Sequence, residues 1–196
     1  MRLKNGEKMK KIMESWLKFL NEGSIMSSSN LPKKFTGIIQ IKPTDISFLQ
    51  DLQLAIQEKF PNQKPIEKLH VTLLHQSVPK KVTSREGLRG DKALKALFKS
   101  PRVLSILPPL LEFGDIGIKS EDGRTSTFIK IKNHTDLRKF LNTILLEANL
   151  DTTEIKQISN VTPQEIDRIF HISLTNLTGN PGDSLANISN GEKINL

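Results

Sequence analysis

Two short tripeptides in this sequence each combine a histidine with a hydroxyl residue two positions later. They are HVT at residues 70–72 and HIS at residues 171–173, and both alternate with apolar residues in the runs LHVTL and FHISL. Side chains of a β-strand point alternately to its two faces, so the imidazole and the hydroxyl of each tripeptide would share one face, roughly 7 Å apart. The apolar residues would share the other face and contact the core.

This set of side chains suits the cleavage of a phosphodiester by general acid–base catalysis. One imidazole can remove a proton from an attacking hydroxyl or water and the other can protonate the departing oxygen, because both have an intrinsic pKa of about 6.5. The two hydroxyls can donate hydrogen bonds to the non-bridging oxygens as charge develops on phosphorus. If the two strands are neighbours, the predicted catalytic residues are His70, Thr72, His171 and Ser173.

This chemistry requires no metal and no other cofactor, and the sequence predicts none. It has no cysteine, which excludes disulfides, thiolate metal sites and a cysteine nucleophile, and which fits a reducing cytosol. It also lacks a closely spaced set of histidine and carboxylate ligands such as H-E-x-x-H.

The remaining two histidines are weaker candidates for catalysis. His75 lies at the end of its strand, at a position where alternation directs the side chain toward the core. His134 lies where a helix is expected to begin and can contribute to the cap of that helix. We predict structural or surface roles for both.

The elements that must position the tripeptides follow from hydrophobic periodicity and turn signals. In chain order they are strand 35–41, helix 46–60, strand 69–76, helix 91–99, strands 111–119 and 125–131, helix 134–150 and strand 169–177. Thr44 and Asp45 offer N-capping chemistry to the first helix, and Asp122-Gly123 signals a hairpin. Each half of this order ends in a strand that carries a histidine. It predicts an α+β fold with one central, mostly antiparallel sheet and helices packed outside it.

Apolar spacing also predicts which helical residues reach the core. For helix 46–60 they are Ile46, Leu49, Leu52, Leu54 and Phe60. For helix 134–150 they are Leu137, Phe140, Leu141, Ile144 and Leu145.

Residues 1–30 are predicted to form an extension and residues 31–196 one domain. The extension combines a short amphipathic helix over 9–21 with a polar, small-residue run at 23–30 that is typical of a flexible linker. No stretch has the roughly 18 consecutive apolar residues of a membrane span, and the N-terminus lacks a signal core followed by a cleavage site. We therefore expect an intracellular protein without a membrane partner.

Charge and aromatic content narrow the class of ligand. The formal net charge of +8 favours an anionic partner. Aromatic residues are scarce, with one Trp, nine Phe and no Tyr, so a long surface that stacks base after base is poorly supplied. The basic residues are dispersed and give little support to an RNA groove. A pocket for one or two bases fits this composition better.

The paired tripeptides resemble the two-histidine (2H) phosphoesterase superfamily, whose members carry two H-x-T/S motifs. The resemblance covers about residues 35–178 and implies a bilobal, pseudo-twofold fold. It also implies that His70 and His171 are the acid and base and that Thr72 and Ser173 bind the phosphate. Many members have threonine where this chain has Ser173, which keeps the hydroxyl.

A finer resemblance extends through LHVTLLHQ and HISLTNLTGNPGDSLANI. These segments look like the bacteriophage 2H enzymes that counter CBASS immunity by degrading cyclic di- and trinucleotide messengers. The resemblance implies a small cyclic oligonucleotide as ligand, no stable nucleic-acid partner, and action in the cytoplasm of the infected bacterial cell. It indicates no oligomeric state.

Three further residues are candidates for binding that ligand. Enzymes of this group are expected to hold a base between aromatic rings, and because this chain has no Tyr, Phe35 and Phe113 are the candidates, with core packing as the alternative. Ser184 ends the turn-forming run 179–184, which either contacts phosphate or a base at the cleft or simply closes the last strand.

Two other functions remain open at this point. One is RNA-end chemistry of the kind found in other 2H families, the opening of 2′,3′-cyclic phosphates or the cleavage of 2′–5′ linkages. The other is a nucleotide- or RNA-binding module with silent histidines, against which the complete set of four side chains argues.

Overall fold

The computed structural model describes residues 25–28, 39–74, 101–147 and 169–196, together with Lys10 and Glu14. These last two are helical and form an i,i+4 ion pair with an N···O distance of 4.0 Å. The rest of the predicted helix over 9–21, the predicted helix 91–99, and residues 35–38 and 75–76 of the predicted strands lie outside the described residues.

The fold is α+β, as predicted, with a mostly antiparallel sheet. Its strands are β1 (Ile25–Met26), β2 (Ile39–Ile41), β3 (Lys64–Pro65), β4 (Val71–Leu74), β5 (Leu111–Glu121), β6 (Arg124–Ile131), β7 (His171–Asn176) and β8 (Glu192–Lys193). The helices are α1 (Ser47–Lys59), α2 (Pro101–Ser105) and α3 (His134–Glu147), and a 3-10 turn follows at Pro181–Asp183.

The sheet places the two motif-bearing strands side by side. Its order is β1-β5-β6-β7-β4-β2, while β3 also pairs with β7 and β8 with β5. Every one of these pairs is antiparallel. Strands β4 and β7, which are far apart in the sequence, therefore become neighbours in the middle of the sheet.

The hairpin of β5 and β6 confirms the turn signal at residues 122–123. Asp122 and Gly123 both have positive φ angles, 51° and 72°. This is the backbone that a two-residue type I′ turn requires, and Asp-Gly is one of the pairs that adopt it at least cost. The turn sets the register in which Glu121 faces Arg124.

One extended hydrophobic cluster joins the sheet to helices α1 and α3. From α1 it includes Leu49, Leu52 and Ile56, and from α3 it includes Leu137, Phe140, Ile144 and Leu145. Val71 and Ile172 belong to the same cluster. We call the side of the sheet that faces these helices the core face and the opposite side the site face.

Two residues predicted to reach the core from the first helix are exposed instead. Ile46 is 36% exposed because α1 begins one residue later, and Leu54 is 42% exposed. Leu54 lies about 200° around the helix from Leu52, on the solvent side. The inward position is taken by Gln53, whose Nε2 donates to the carbonyl oxygens of Ile66 (2.9 Å) and Leu174 (2.7 Å).

The N-cap of α1 is Ile46, which makes no side-chain capping bond, so neither predicted residue is the N-cap. Asp45, one residue earlier, binds the first residue of the helix instead. The Asp45 carboxylate accepts hydrogen bonds from the Ser47 backbone N–H (2.9 Å) and the Ser47 hydroxyl (2.7 Å). These two bonds, the backbone one first, lower the pKa of Asp45. Thr44 instead donates its hydroxyl to the carbonyl of Ser27 at 2.9 Å.

Residues 25–28 correct the prediction of a flexible linker over 23–30. Strand β1 pairs with β5, where Met26 faces Leu111, and Ser28 forms a bridge to Pro43. Met26 is only 7% exposed and belongs to the core cluster. An apolar side chain in this polar run therefore ties it to the sheet, and the folded unit begins before residue 31. Among the described residues, no helix combines the length and apolarity needed to cross a membrane.

Candidate active site

The two tripeptides meet across a single strand pair. Val71 of β4 lies directly opposite Ile172 of β7 in antiparallel register, and both side chains are fully buried on the core face. One step along this register in either direction, each histidine lies opposite the hydroxyl residue of the other tripeptide. The cross-strand pairs are His70 with Ser173 and Thr72 with His171.

His70, Thr72, His171 and Ser173 therefore form a four-residue patch on the site face. The two imidazoles occupy one pair of opposite corners of this patch, and the two hydroxyls occupy the other pair. Directly opposite residues of an antiparallel pair have Cβ atoms about 4.5–5.5 Å apart, and diagonal neighbours are about 7–8 Å apart. The two imidazoles are diagonal neighbours, and so are the two hydroxyls. A tetrahedral phosphate centred between the strands would have an imidazole on each of two opposite sides.

Both imidazoles are oriented by the same local hydrogen bond. Nδ1 of His70 lies 2.7 Å from the carbonyl oxygen of Lys68, and Nδ1 of His171 lies 2.9 Å from that of Ile169. In each case the partner is the carbonyl two residues earlier. Because a carbonyl can only accept, Nδ1 carries the proton in both neutral rings. This leaves Nε2 as the nitrogen with a lone pair that can take up a proton. The tripeptide spacing does not reveal this bond.

The two histidines differ in how deeply they are buried. His70, Thr72 and Ser173 are half-buried, whereas His171 is 9% exposed. One cause is Phe128 of β6, which lies opposite Ser173 and whose ring meets that of His171 edge-on, with centroids 5.9 Å apart at 67°. Phe128 therefore supports one side of the His171 ring.

Two glycines make room for the Phe128 ring. A Cβ on Gly117 would lie 2.6 Å from two ring carbons of Phe128, and one on Gly191 would lie 2.5 Å from Cζ of the same ring. Both distances are far inside van der Waals contact, so a larger residue at either position would displace the ring. Gly191, just before β8, thus contributes indirectly to the position of His171.

Polar side chains on the outer strands extend the patch sideways. Gln40 of β2 lies opposite Thr72, and Lys130 of β6 lies opposite His171. Phe128, Lys130 and Gln40 were not predicted from the sequence. The alternation Phe128-Ile129-Lys130-Ile131 places Phe128 and Lys130 on one face, but which strand lies beside them is decided only by the tertiary fold.

Both motif strands contain a β-bulge directly after the hydroxyl residue. Against β2, strand β4 has one extra residue, Leu73, because Ile39 faces Leu74 while Gln40 faces Thr72. Against β6, strand β7 has one extra residue, Leu174, between Ser173 and Thr175. Both leucines are buried in the core cluster. A bulge bends and twists its strand, so each motif lies at a local bend.

The bulge in β7 also changes which later residues reach the site face. Thr175 is turned to the core face, where its hydroxyl lies 2.5 Å from that of Thr127 and donates to Gln63 Oε1 at 3.0 Å. Asn176 takes the site face and donates from Nδ2 to the Asn180 carbonyl at 2.7 Å and to Ser184 Oγ at 3.1 Å.

Those contacts clarify the predicted ligand-binding residues. Ser184 follows the 3-10 turn and accepts the Asn176 hydrogen bond, which favours its role as the residue that closes the turn after β7. Phe113 is 0% exposed in the core cluster, with its ring 6.5 Å from that of Phe48, so a base cannot reach it and the core alternative is the correct one. Phe35 and His75 lie outside the described residues.

His134 connects α3 to the start of β7. Its Nδ1 accepts the backbone N–H of Phe170 at 3.3 Å, and its ring stacks on the Phe170 ring with centroids 5.5 Å apart. Burial, and secondarily the positive charge of Arg138, lower the pKa of His134. The neutral His134 ring is therefore the form that binds the N–H of Phe170, the residue before His171. This contact agrees with the predicted structural role of His134.

Comparison with protein-family models, with curated proteins and with solved structures finds no match for this chain.

Proposed function

We propose that this chain is a metal-independent 2H-type phosphodiesterase that hydrolyses cyclic di- and trinucleotide second messengers, so that a phage evades the CBASS defence of its host. The observation that carries the proposal is the pairing of Val71 with Ile172, which brings two imidazoles and two hydroxyls onto one face. His134, the third histidine of the described residues, is bound to Phe170 instead.

The repeated local geometry supports a pseudo-twofold axis between β4 and β7. Each motif has an Nδ1 bond to the carbonyl two residues back and a bulged leucine after the hydroxyl residue. An axis at the Val71–Ile172 pair would exchange β4 with β7 and β2 with β6. This is the relation that the 2H fold implies.

The mechanism follows from the two Nε2 atoms. One removes the proton from the ribose 2′-hydroxyl next to a 3′–5′ linkage, and that oxygen attacks phosphorus. The bond from phosphorus to the 5′-oxygen breaks, and the second imidazolium protonates the departing oxygen. The hydroxyls of Thr72 and Ser173 donate to the non-bridging oxygens. The product is a linear oligonucleotide with a 2′,3′-cyclic phosphate, which water can then open.

The choice of a cyclic messenger as substrate rests on two features of the sequence. One is the resemblance of LHVTLLHQ and HISLTNLTGNPGDSLANI to the phage 2H enzymes, and the other is the composition of the chain. A net charge of +8 attracts anionic ligands, and few aromatic residues argue against a long strand-binding track. Action in the cytoplasm of an infected bacterium is part of the same proposal.

The decisive experiment is a substrate panel. The protein is incubated in EDTA with cyclic di- and trinucleotides and with an RNA that ends in a 2′,3′-cyclic phosphate, and the products are separated and quantified. Fastest turnover of a cyclic oligonucleotide supports the proposal. Fastest turnover of the RNA end assigns the site to RNA-end chemistry. Activity that returns only on addition of a divalent metal would overturn the metal-independent mechanism.

A further inference from the structure

One lysine lies directly beside the four-residue patch and has no part in the acid–base scheme. Lys130 is opposite His171 in the register of β6 and β7, so the two side chains share the site face. Its flanking residues, Ile129 and Ile131, are buried on the core face. Adjacent strands are about 4.8 Å apart, which places the Lys130 backbone one strand outside the tripeptide pair.

The strand beside Lys130 leaves room for its side chain. Next to it on β5 lies Gly114, where a Cβ would be 3.6 Å from Lys130 Cβ and 3.3 Å from Lys132 Cγ. The β5–β6 ladder is irregular between Phe113 and Ile116, so this glycine falls in the widened part of the pairing. A Cβ there would make an ordinary van der Waals contact with the Lys130 stem and a tight one with the Lys132 stem.

The carboxylates nearest to Lys130 on β5 are placed away from it or already engaged. Asp115 lies in the same irregular stretch, and its Oδ1 binds Nζ of Lys193 at 2.8 Å. Glu112 lies opposite Lys132, which is two residues beyond Lys130 and further from the patch. The backbone carbonyl of Glu112 accepts the Lys132 N–H. The Lys130 ammonium therefore adds positive charge at the His171 edge of the patch.

We propose that Lys130 binds a second phosphate of the substrate, the one next to the phosphate that is cleaved. This inference rests on the proposed function and narrows it, because the enzyme would then prefer ligands with at least two phosphodiesters over those with one. In the proposed mechanism the scissile phosphate occupies the four-residue patch, so a cation one strand away is positioned for the neighbouring phosphate.

The test compares two substrates that differ in the number of phosphodiesters. Michaelis constants are measured for a cyclic dinucleotide and for a linear dinucleoside 3′–5′ monophosphate, which has a single phosphodiester next to a free 2′-hydroxyl. The proteins compared are wild type, Lys130→Met, Lys130→Arg and the control Lys139→Met, an exposed lysine on α3. We expect Lys130→Met to raise KM for the dinucleotide about three- to fivefold, the effect of one partly solvated charge, and to leave KM for the monophosphate unchanged. Lys130→Arg and Lys139→Met should resemble wild type.

Two results would overturn the inference: an equal loss on both substrates, which would place Lys130 at the scissile phosphate or at His171, or no change on either. If wild type cleaves neither substrate, the proposed function fails, and equilibrium binding of a bisphosphorothioate cyclic dinucleotide decides the role of Lys130 separately. Weaker binding by Lys130→Met then supports the second-phosphate site, and unchanged binding refutes it.

Discussion

The two imidazoles are held by their own strands, through Nδ1 bonds to the carbonyls of Lys68 and Ile169. Each therefore presents a fixed tautomer to the space between β4 and β7. We expect His70→Ala and His171→Ala each to lower kcat by at least about 100-fold on the substrate that is cleaved fastest. If the two histidines act as a unit, the double variant should be little worse than either single one.

Melting curves provide the control for this prediction, because the two histidines differ in burial. His70 is half-buried and its replacement should leave the melting temperature nearly unchanged, whereas His171 contacts the Phe128 ring and its loss should lower it. Retained turnover in either folded variant would remove that histidine from the mechanism.

A substitution at Gly191 tests whether Phe128 positions His171. It leaves all four residues of the patch unchanged. Gly191→Ala would push the Phe128 ring and, through it, the His171 imidazole. We expect a loss of about 1–3 kcal/mol in the free energy of unfolding, as for other overpacking changes, and a decrease in kcat with little change in KM. Gly182→Ala is the matched control, because the nearest contact of its Cβ would be Asn180 Oδ1 at 3.4 Å, an ordinary van der Waals distance. Equal kinetics of the two variants would contradict a positioning role for Phe128.

At the scale of elements, the contact between α3 and the start of β7 depends on a neutral His134. Its folded pKa is lowered by burial and by Arg138, so the unfolded chain binds a proton at a higher pH than the folded chain does. The stability from this group is complete above an unfolded pKa of about 6.5 and is lost as the pH falls through the folded pKa.

The corresponding measurement is the free energy of unfolding by urea at pH 7.5 and pH 5.5 for wild type and His134→Gln. We expect the advantage of wild type over the variant to shrink at the lower pH, because protonation removes the acceptor for the Phe170 N–H. A difference that is independent of pH would show that the titration of His134 does not contribute to stability.

The predictions from sequence succeeded where the pattern is local. Alternation in LHVTL predicted that Leu69, Val71 and Leu73 would be buried, and they are. The Asp-Gly turn and the core residues of α3 are likewise local properties of one element. The predictions failed at Leu54, because apolarity alone does not decide whether a leucine or Gln53 faces the sheet.

The neighbours of the site could not be predicted because they depend on which strands pair. Lys130 lies opposite His171, and Gln40 lies opposite Thr72, because of the order of strands in the sheet. The sequence of a single strand does not determine which strand lies beside it. The same holds for the bulges at Leu73 and Leu174, since an extra residue exists only relative to a partner strand.

At the scale of the whole molecule, the positive charge and the small patch predict different salt responses for the competing ligands. If two phosphates of a cyclic dinucleotide are neutralised, the slope of log affinity against log salt should be about −1 to −2. An enzyme that follows an RNA strand contacts more phosphates and gives a steeper slope. The affinity of the His70→Ala variant, measured by equilibrium binding over a range of salt concentrations, separates the two. A steep slope with faster cleavage of linear RNA would leave only the general 2H assignment.

The pairing of β4 with β7 also has a consequence for how the protein is made. Val71 and Ile172 are 101 positions apart (172 − 71), so their contact closes a long loop, and such non-local pairing slows folding. A ribosome that adds about 5–20 residues per second needs on the order of 5–20 s to travel between them. During that time the edge of β4 that will receive β7 has no native partner, and exposed strand edges invite association between chains. The strand that carries the second histidine of the proposed acid–base pair is thus also the one that covers this open edge of β4.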